Sequence, residues 1–168
     1  MKPFRVLIID DSLTIRAILE HIFAEDRECE VVGVASSVEE ARKLMATTEP
    51  NIITLDLALP EVDGMQFLDE LRAQSAHAPI VVISSSTKGR NAVAREAIER
   101  GAMACFDKAR VITDARRLVR VMKRAAVRSA RIRAKGRGPD AVAAAAWSAA
   151  YARLLAQKAA QSVAQTAA

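Results

Sequence analysis

Asn51-Ile52-Ile53-Thr54-Leu55-Asp56-Leu57-Ala58-Leu59-Pro60-Glu61-Val62-Asp63-Gly64 is the stretch on which the reading of this chain turns. Asn51 to Leu55 is mostly apolar and rich in β-branched residues, which predicts a buried strand. The run ends in a carboxylate, Asp56. Pro60 and Asp63-Gly64 then follow as loop and turn signals. A carboxylate at the end of a buried strand is costly unless it meets a cation or hydrogen-bond donors. In open α/β sheets that edge is where ligands bind. Asp56 also reads as an ordinary turn residue, since Asp is common in turns.

Outward from this stretch, strand patterns alternate with helix patterns. Phe4 to Ile9 is a buried strand running into Asp10-Asp11-Ser12. Ser12 is placed as the N-cap of a helix over about 13–24. Val31 to Ala35 is a second strand. Ser37-Val-Glu-Glu40 has the form of a capping box, opening a helix to about Ala46. After the central strand, 64–74 reads as a helix with Met65, Leu68 and Leu71 spaced for burial. Pro79 to Ile83 is a fourth strand, followed by Ser84-Ser85-Ser86-Thr87. Arg90 to Arg100 is helical, with Gly101 as its C-terminal cap residue. Ala102 to Phe106 is a weaker fifth strand, ending in Asp107-Lys108. Thr113 or Asp114 opens a long basic helix.

This alternation predicts an α/β fold, a doubly wound parallel sheet of five strands with helices on both faces. In the order 2-1-3-4-5 the crevice opens at the carboxyl ends of strands 1 and 3. Those ends carry Asp10, Asp11 and Asp56, with Ser84 and Lys108 on the same rim. Converging carboxylates repel unless a cation is present, and an all-oxygen set suits Mg²⁺. A carboxylate also serves as a nucleophile towards phosphorus. Phosphoryl transfer needs positioning and neutralised charge, which a metal on Asp10 and Asp11 together with the Lys108 ammonium would supply. The Ser84 hydroxyl offers a hydrogen bond to a phosphoryl oxygen. Each residue has a plainer reading: Asp10-Asp11 as an acidic pair at a helix start, Ser84 as a turn residue, Lys108 as a solvated charge.

Composition bounds the rest. The 168 residues suit one domain with an appendage, and 51 % hydrophobic content suffices for a core. No run approaches the ~20 apolar residues of a membrane span. The N-terminus reads as no signal peptide. Cys29 and Cys105 have no CxxC or metal-ligand spacing, and read as reduced thiols of a cytoplasmic protein. His21 and His77 lack neighbours at ligand spacing. Residues 1–108 hold 12 Lys+Arg against 18 Asp+Glu, whereas 109–168 hold 13 against 2. An acidic globule is thus followed by a basic extension.

Residues 4–124 resemble the receiver domain of two-component response regulators. The matching pieces are Ile9-Asp10-Asp11-Ser12, Thr54-Leu55-Asp56-Leu-Ala-Leu-Pro60 with Asp63-Gly64, Val82-Ile-Ser84-Ser85 and Phe106-Asp-Lys108. Thr-Leu-Asp56 and the Ser-Ser-Ser-Thr-Lys-Gly89 loop resemble the receiver half of chemotaxis protein-glutamate methylesterases. The resemblance implies a flavodoxin/CheY-like sheet and a phosphorelay role. It makes Asp56 the phospho-acceptor, with Mg²⁺ held by Asp10, Asp11, Asp56 and the backbone carbonyl of Ala58. Ser84 becomes the switch hydroxyl, Lys108 the phosphoryl-pairing lysine, and the donor a phosphohistidine on a sensor histidine kinase or phosphotransfer protein. Three positions depart from the family pattern. Cys105 stands where an aromatic is usual, with Phe106 one residue later and on the opposite strand face. Ala109 follows Lys108 in place of proline. Ala58 and Ser86 are small where relatives often carry polar groups.

Residues 109–168 contain no His and no Gly-x-Ser-x-Gly, so a methylesterase is not expected. The expected division is a receiver over 1–127 and a basic linker with an Ala-rich helix over 128–168. The helix from Thr113 to Ala134 carries Arg116, Arg117, Arg120, Lys123, Arg124, Arg128, Arg131 and Arg133. Lys135-Gly-Arg-Gly-Pro139 breaks it. Asp140 then caps a last helix over 141–166, with Trp147, Tyr151 and Leu154 in a stripe beside Leu155. That stripe reads as a seam, onto the receiver or between two copies in a homodimer. The basic face reads either as a solvated surface or as a docking surface. Without interleaved aromatics it argues for a protein target over nucleic acid. The expectation is a stand-alone response regulator signalling through its helix-4, strand-5, helix-5 side. The rivals are an aspartate-based phosphotransferase, which would place its Asp-x-Asp on the first strand, and a dinucleotide-binding domain, which would need Gly-x-Gly-x-x-Gly. A third is a phosphate-independent interaction module.

Overall fold

The computed structural model describes residues 3–60, 62–74, 78–85 and 90–134. Five strands form one sheet: β1 (Phe4–Ile9), β2 (Cys29–Ala35), β3 (Ile52–Leu55), β4 (Ile80–Ser84) and β5 (Ala104–Asp107). Among the described residues five α-helices accompany them: α1 (Leu13–Ala24), α2 (Val38–Thr48), α3 (Gly64–Gln74), α4 (Arg90–Glu99) and α5 (Ala115–Ala134). All pairings are parallel, in the order β2-β1-β3-β4-β5. The predicted topology is the observed one.

Successive strand side chains point to opposite faces, and each face has its own core. Leu7, Ile9 and Leu55 pack with Phe67, Leu68 and Ala97 on the α2, α3 and α4 side. Val6, Ile8 and Ile52 pack with Leu19, Phe23, Leu118 and Met122 on the α1 and α5 side. Because both faces are covered, the central strands are apolar throughout rather than alternating. Phe67, Leu68 and Leu71 are fully buried on α3; each contributes about 1.5–3 kcal/mol by leaving water.

The helix ends follow local chemistry. The Ser12 hydroxyl accepts from the amide of Ile15, and Asp63 Oδ1 accepts from Met65. The Ser37 hydroxyl accepts from Glu40 as the capping box requires. The Glu40 carboxylate, however, reaches back to the amide and hydroxyl of Ser36 rather than to Ser37. Gly101 has φ 106° after α4. Its amide donates to Ile98 and that of Ala102 to Ala97, the double closure that left-handed glycine permits.

Several boundaries move: α2 runs on to Thr48, β4 spans Ile80–Ser84 rather than 79–83, and β5 spans Ala104–Asp107 rather than 102–106. β2 starts at Cys29, two residues before the apolar run, because Phe4 and Arg5 of β1 pair with Cys29 and Glu30. The basic helix starts at Ala115, after a 3-10 turn over Lys108–Arg110; the carbonyl of Asp114 accepts its first bonds from Arg117 and Leu118. α5 then runs unbroken across position 127/128, and among the residues whose burial is described Ala126 is its last buried one. Ser86 and the loop to Gly89, His77, the 135–139 break, the 141–166 helix and the Trp147 stripe lie outside the described residues.

Candidate phosphoryl-acceptor site

β1 and β3 are neighbours and the strand order reverses beside them, so their carboxyl ends open onto one crevice. Main-chain bonds fix both carriers there. The amide of Asp56 donates to the carbonyl of Ile9 at 2.9 Å, and that of Asp10 to Ala35 at 3.1 Å. Asp10 and Asp56 are each 1 % exposed, whereas Asp11 is exposed. One carboxylate oxygen from each of Asp10, Asp11 and Asp56 lies within 4.8 Å of the others.

Lys108 leaves the end of β5 and reaches across to this crevice. Its Nζ donates to Asp56 Oδ2 at 2.6 Å and to Asp10 Oδ1 at 3.0 Å. Local amides also hold one oxygen of each carboxylate. Ser12 donates to Asp10 Oδ1 at 2.9 Å, and Ala58 to Asp56 Oδ1 at 3.1 Å. Asp10 Oδ2 differs: it is buried, 2.9 Å from the Lys108 nitrogen, yet receives no hydrogen bond. A buried carboxylate oxygen approached only by the Lys108 ammonium, facing two further carboxylates, fits a hard divalent cation with oxygen ligands.

Burial raises the pKa of Asp10, and the nearby Asp56 charge adds to this, against the opposing hydrogen bonds from Lys108 and Ser12. For Lys108, burial alone would lower the value; the bonds and charges of Asp56 and Asp10 outweigh it and hold the ammonium above its usual range. The site thus keeps a strong cation in a partly buried, acidic pocket.

Ser84 is half-buried at the end of β4, the neighbour of β3, and faces Asp107 in the β4–β5 register. Ala58 lies two residues past Asp56, its peptide fixed by the amide bond to Asp56 Oδ1. The structure therefore brings Asp10, Asp11, Asp56 and Lys108 together directly, and puts Ser84 and Ala58 on adjoining edges. Cys105 and Phe106 point to opposite faces. Cys105 packs towards the α2–α4 core, where burial pushes its thiol pKa up, and Phe106 joins the α1–α5 core.

One residue escaped the sequence reading. Arg16 of α1 turns back over the β1–α1 loop, where its Nη1 donates to the carbonyls of both Asp10 and Asp11 at 2.8 Å. It pins the loop that carries the acidic pair. An arginine one turn into the helix that follows Asp-Asp is the signal that would have found it.

Fold and rim together define a doubly wound domain with an acidic, lysine-bridged pocket at its switch point. The family model of the response regulator receiver domain matches residues 6–122, and the chain belongs to that family. It is 44 % identical over 104 residues to protein-glutamate methylesterase/protein-glutamine glutaminase 2 of Cereibacter sphaeroides, covering 62 % of this chain and 28 % of that protein. The chain thus spans under a third of the length of the curated relatives it matches. Among solved structures it is similar to the response regulator domain of Thermotoga maritima CheB, with TM-score 0.67 and 27 % identity over 74 % of this chain and 97 % of that one. The complex of the CheA3 P1 domain with CheY6 from R. sphaeroides also matches, with TM-score 0.63 and 27 % identity over 74 % of this chain and 98 % of the other. Among the described residues no helix is long and apolar enough to cross a membrane.

Proposed function

We propose that Asp56 accepts a phosphoryl group from a phosphohistidine on a sensor kinase or phosphotransfer protein, in a chemotaxis-like relay in the cytoplasm. The observation that carries this is the bridge from Lys108 to Asp56 and Asp10 beside the cluster of three carboxylates. An Asp56 carboxylate oxygen forms the new bond to phosphorus as the phosphorus–nitrogen bond breaks. The imidazole leaves with that electron pair and takes a proton from solvent. Asp10, Asp11, Asp56 and the Ala58 carbonyl would hold Mg²⁺, which supplies positive charge to the phosphoryl oxygens. Lys108 sits where it offsets the charge gathering on those oxygens. Ser84 is the hydroxyl that engages the phosphorylated state.

The acceptor unit is 1–127, and 128–168 is its basic appendage. Output runs by contact with a protein target through α4, β5 and α5. Arg116, Arg117, Arg120, Arg124, Arg128 and Arg131 are exposed on α5, which has no Asp or Glu of its own. That charge steers an acidic partner.

Beryllofluoride, which mimics an aspartyl phosphate, tests the reading by NMR with Mg²⁺ and an Asp56→Asn control. Amide shifts at Asp56, Ser84 and α5, absent in the control, are expected. Equal shifts in the control would remove Asp56 from the role. No shift in either protein would leave a phosphate-independent interaction module as the better reading.

A further inference from the structure

Six arginines of α5 are exposed: Arg116, Arg117, Arg120, Arg124, Arg128 and Arg131. At ~100° of turn per residue they fall within an arc of about 120°, so they form one ridge along the helix. The ridge runs from Arg116 to Arg131, about 22 Å at ~1.5 Å per residue. Among the described residues only Arg117 of the six forms an ion pair, with Asp114 at 3.9 Å, and Arg110 holds that carboxylate more closely at 2.8 Å. Lys123 lies on the flank towards α1, where Asp26 and Glu28 pair with it, and stays out of the ridge. Within the arc the only large apolar side chain described is Val127.

Like charges repeat at i, i+4 in Arg116–Arg120, Arg120–Arg124 and Arg124–Arg128, and at i, i+3 in Arg117–Arg120 and Arg128–Arg131. Each such pair works against the helix that carries it. A polyanion laid along the row relieves all of them together. Past Ala126, the last buried residue described on α5, Val127, Arg128, Ala130, Arg131, Ile132 and Ala134 are exposed. The final two turns therefore stand proud of the domain, open over about half of their circumference.

A ridge of this kind is the footprint of a nucleic-acid backbone. Duplex DNA carries one charge per ~1.7 Å of axis, about 13 over the length of the ridge, so each arginine meets phosphates. The planar fork of arginine matches a phosphate with paired hydrogen bonds. A helix ~10–12 Å across enters the B-form major groove, about 12 Å wide. The major groove of duplex RNA is too deep and narrow for this. α5 has no aromatic residue. That counts against single strands, whose bases stack on aromatic rings, but contact with a duplex backbone needs none. The ridge by itself also lacks the apolar core of a protein interface and the apolar side chains that a helix inserts into a bilayer. We propose that α5 binds duplex DNA through its backbone without reading sequence. The arginine ridge lies against the phosphates, and the end from Val127 to Ala134 enters the major groove. This adds a ligand to α5 beyond the relay reading and leaves Asp56 to its own role.

Anisotropy of a short fluorescein-labelled DNA duplex, titrated with the full chain, measures the binding. The association constant should fall with salt at a log–log slope of about −4 to −5, near −0.9 for each phosphate engaged. Arg120→Gln with Arg124→Gln removes two ridge cations and keeps good helix formers. The slope should become shallower by about 1.8, and affinity at low salt should drop about tenfold. Arg27→Gln with Arg95→Gln makes the same change in net charge at exposed positions off the ridge, and should leave the slope as it is. Equal losses in the two double variants would overturn the proposal by reducing the binding to net charge. An absence of saturable binding would overturn it too, and leave the arginines to an acidic protein. Tighter binding to vesicles of phosphatidylserine would give the ridge to lipid instead, and tighter binding to a single strand of the same length would remove the groove. Asp56 takes no part in this readout, so it is decided separately from the phosphoryl-acceptor reading.

Discussion

Gly64 opens α3 with its Cα pressed against the backbone of Leu57. A Cβ there would lie 2.4 Å from Leu57 Cα and 2.5 Å from its carbonyl oxygen. Leu57 is the residue between Asp56 and Ala58. The contact therefore sets the path of the loop whose Ala58 amide holds the Asp56 carboxylate. Gly64→Ala should cost about 1–3 kcal/mol, because backbone cannot yield as a side chain can. Helix propensity alone would instead favour Ala by up to ~1 kcal/mol. Urea unfolding separates the two, and a stabilised variant would show that the loop gives way freely.

Arg16→Ala removes the clamp on the carbonyls of Asp10 and Asp11. A group that orients ligands without touching the metal typically changes affinity by about 10–100-fold, so Mg²⁺ binding should weaken by at least tenfold. Titration followed by the amide shifts of Asp10 and Asp11 measures it. Unaltered affinity would reduce Arg16 to a surface residue.

The raised pKa of Asp10 gives the pocket an inverted acid response. A carboxyl whose folded pKa exceeds its unfolded one is favoured by folding when protonated. The metal-free protein should therefore gain stability from this residue as the pH falls through the raised value towards the ordinary 3.8. The same proton competes with the cation, so Mg²⁺ affinity should drop about tenfold per pH unit below that value. Asp10→Asn should abolish both trends. Persistence of either in the variant would assign it to another carboxylate.

Lys108 acts in the opposite range. Its folded pKa lies above the ordinary 10.5, so its contribution is complete below that and is lost as the pH rises through the folded value. Lys108→Ala leaves Asp10 and Asp56 buried and facing each other without a cation. The loss should be roughly 3 kcal/mol, the scale for removing one partner of a buried pair. Added Mg²⁺ should raise the Tm of this variant more than that of the parent. Equal increments would mean that the metal and the ammonium do not share the carboxylates.

The strands and their order were legible because apolar runs bounded by turn signals leave few alternatives, and because both sheet faces are buried. Asp10, Asp11, Asp56 and Lys108 were legible for the same reason: each lies where a strand ends on one edge. What stayed hidden depends on how the folded backbone sets the reach of side chains, across the sheet and within single loops. Glu30 joins β2 because Arg5 lies opposite, an ion pair at 3.3 Å that no local pattern announces. Glu40 chose Ser36 over Ser37 once the loop set the reach. Arg16 reads as one more polar residue on a helix face until the loop is folded beneath it.

The bridge made by Lys108 spans 98 residues to Asp10 and 52 to Asp56. During synthesis both acids emerge long before the lysine, and until β5 is laid down no Lys108 ammonium offsets their charge. A nascent or truncated receiver would thus present a bare cluster of carboxylates rather than a poised acceptor. The pocket acquires its cation only after the last strand has closed the sheet, so the ion pair doubles as a signature that assembly is complete.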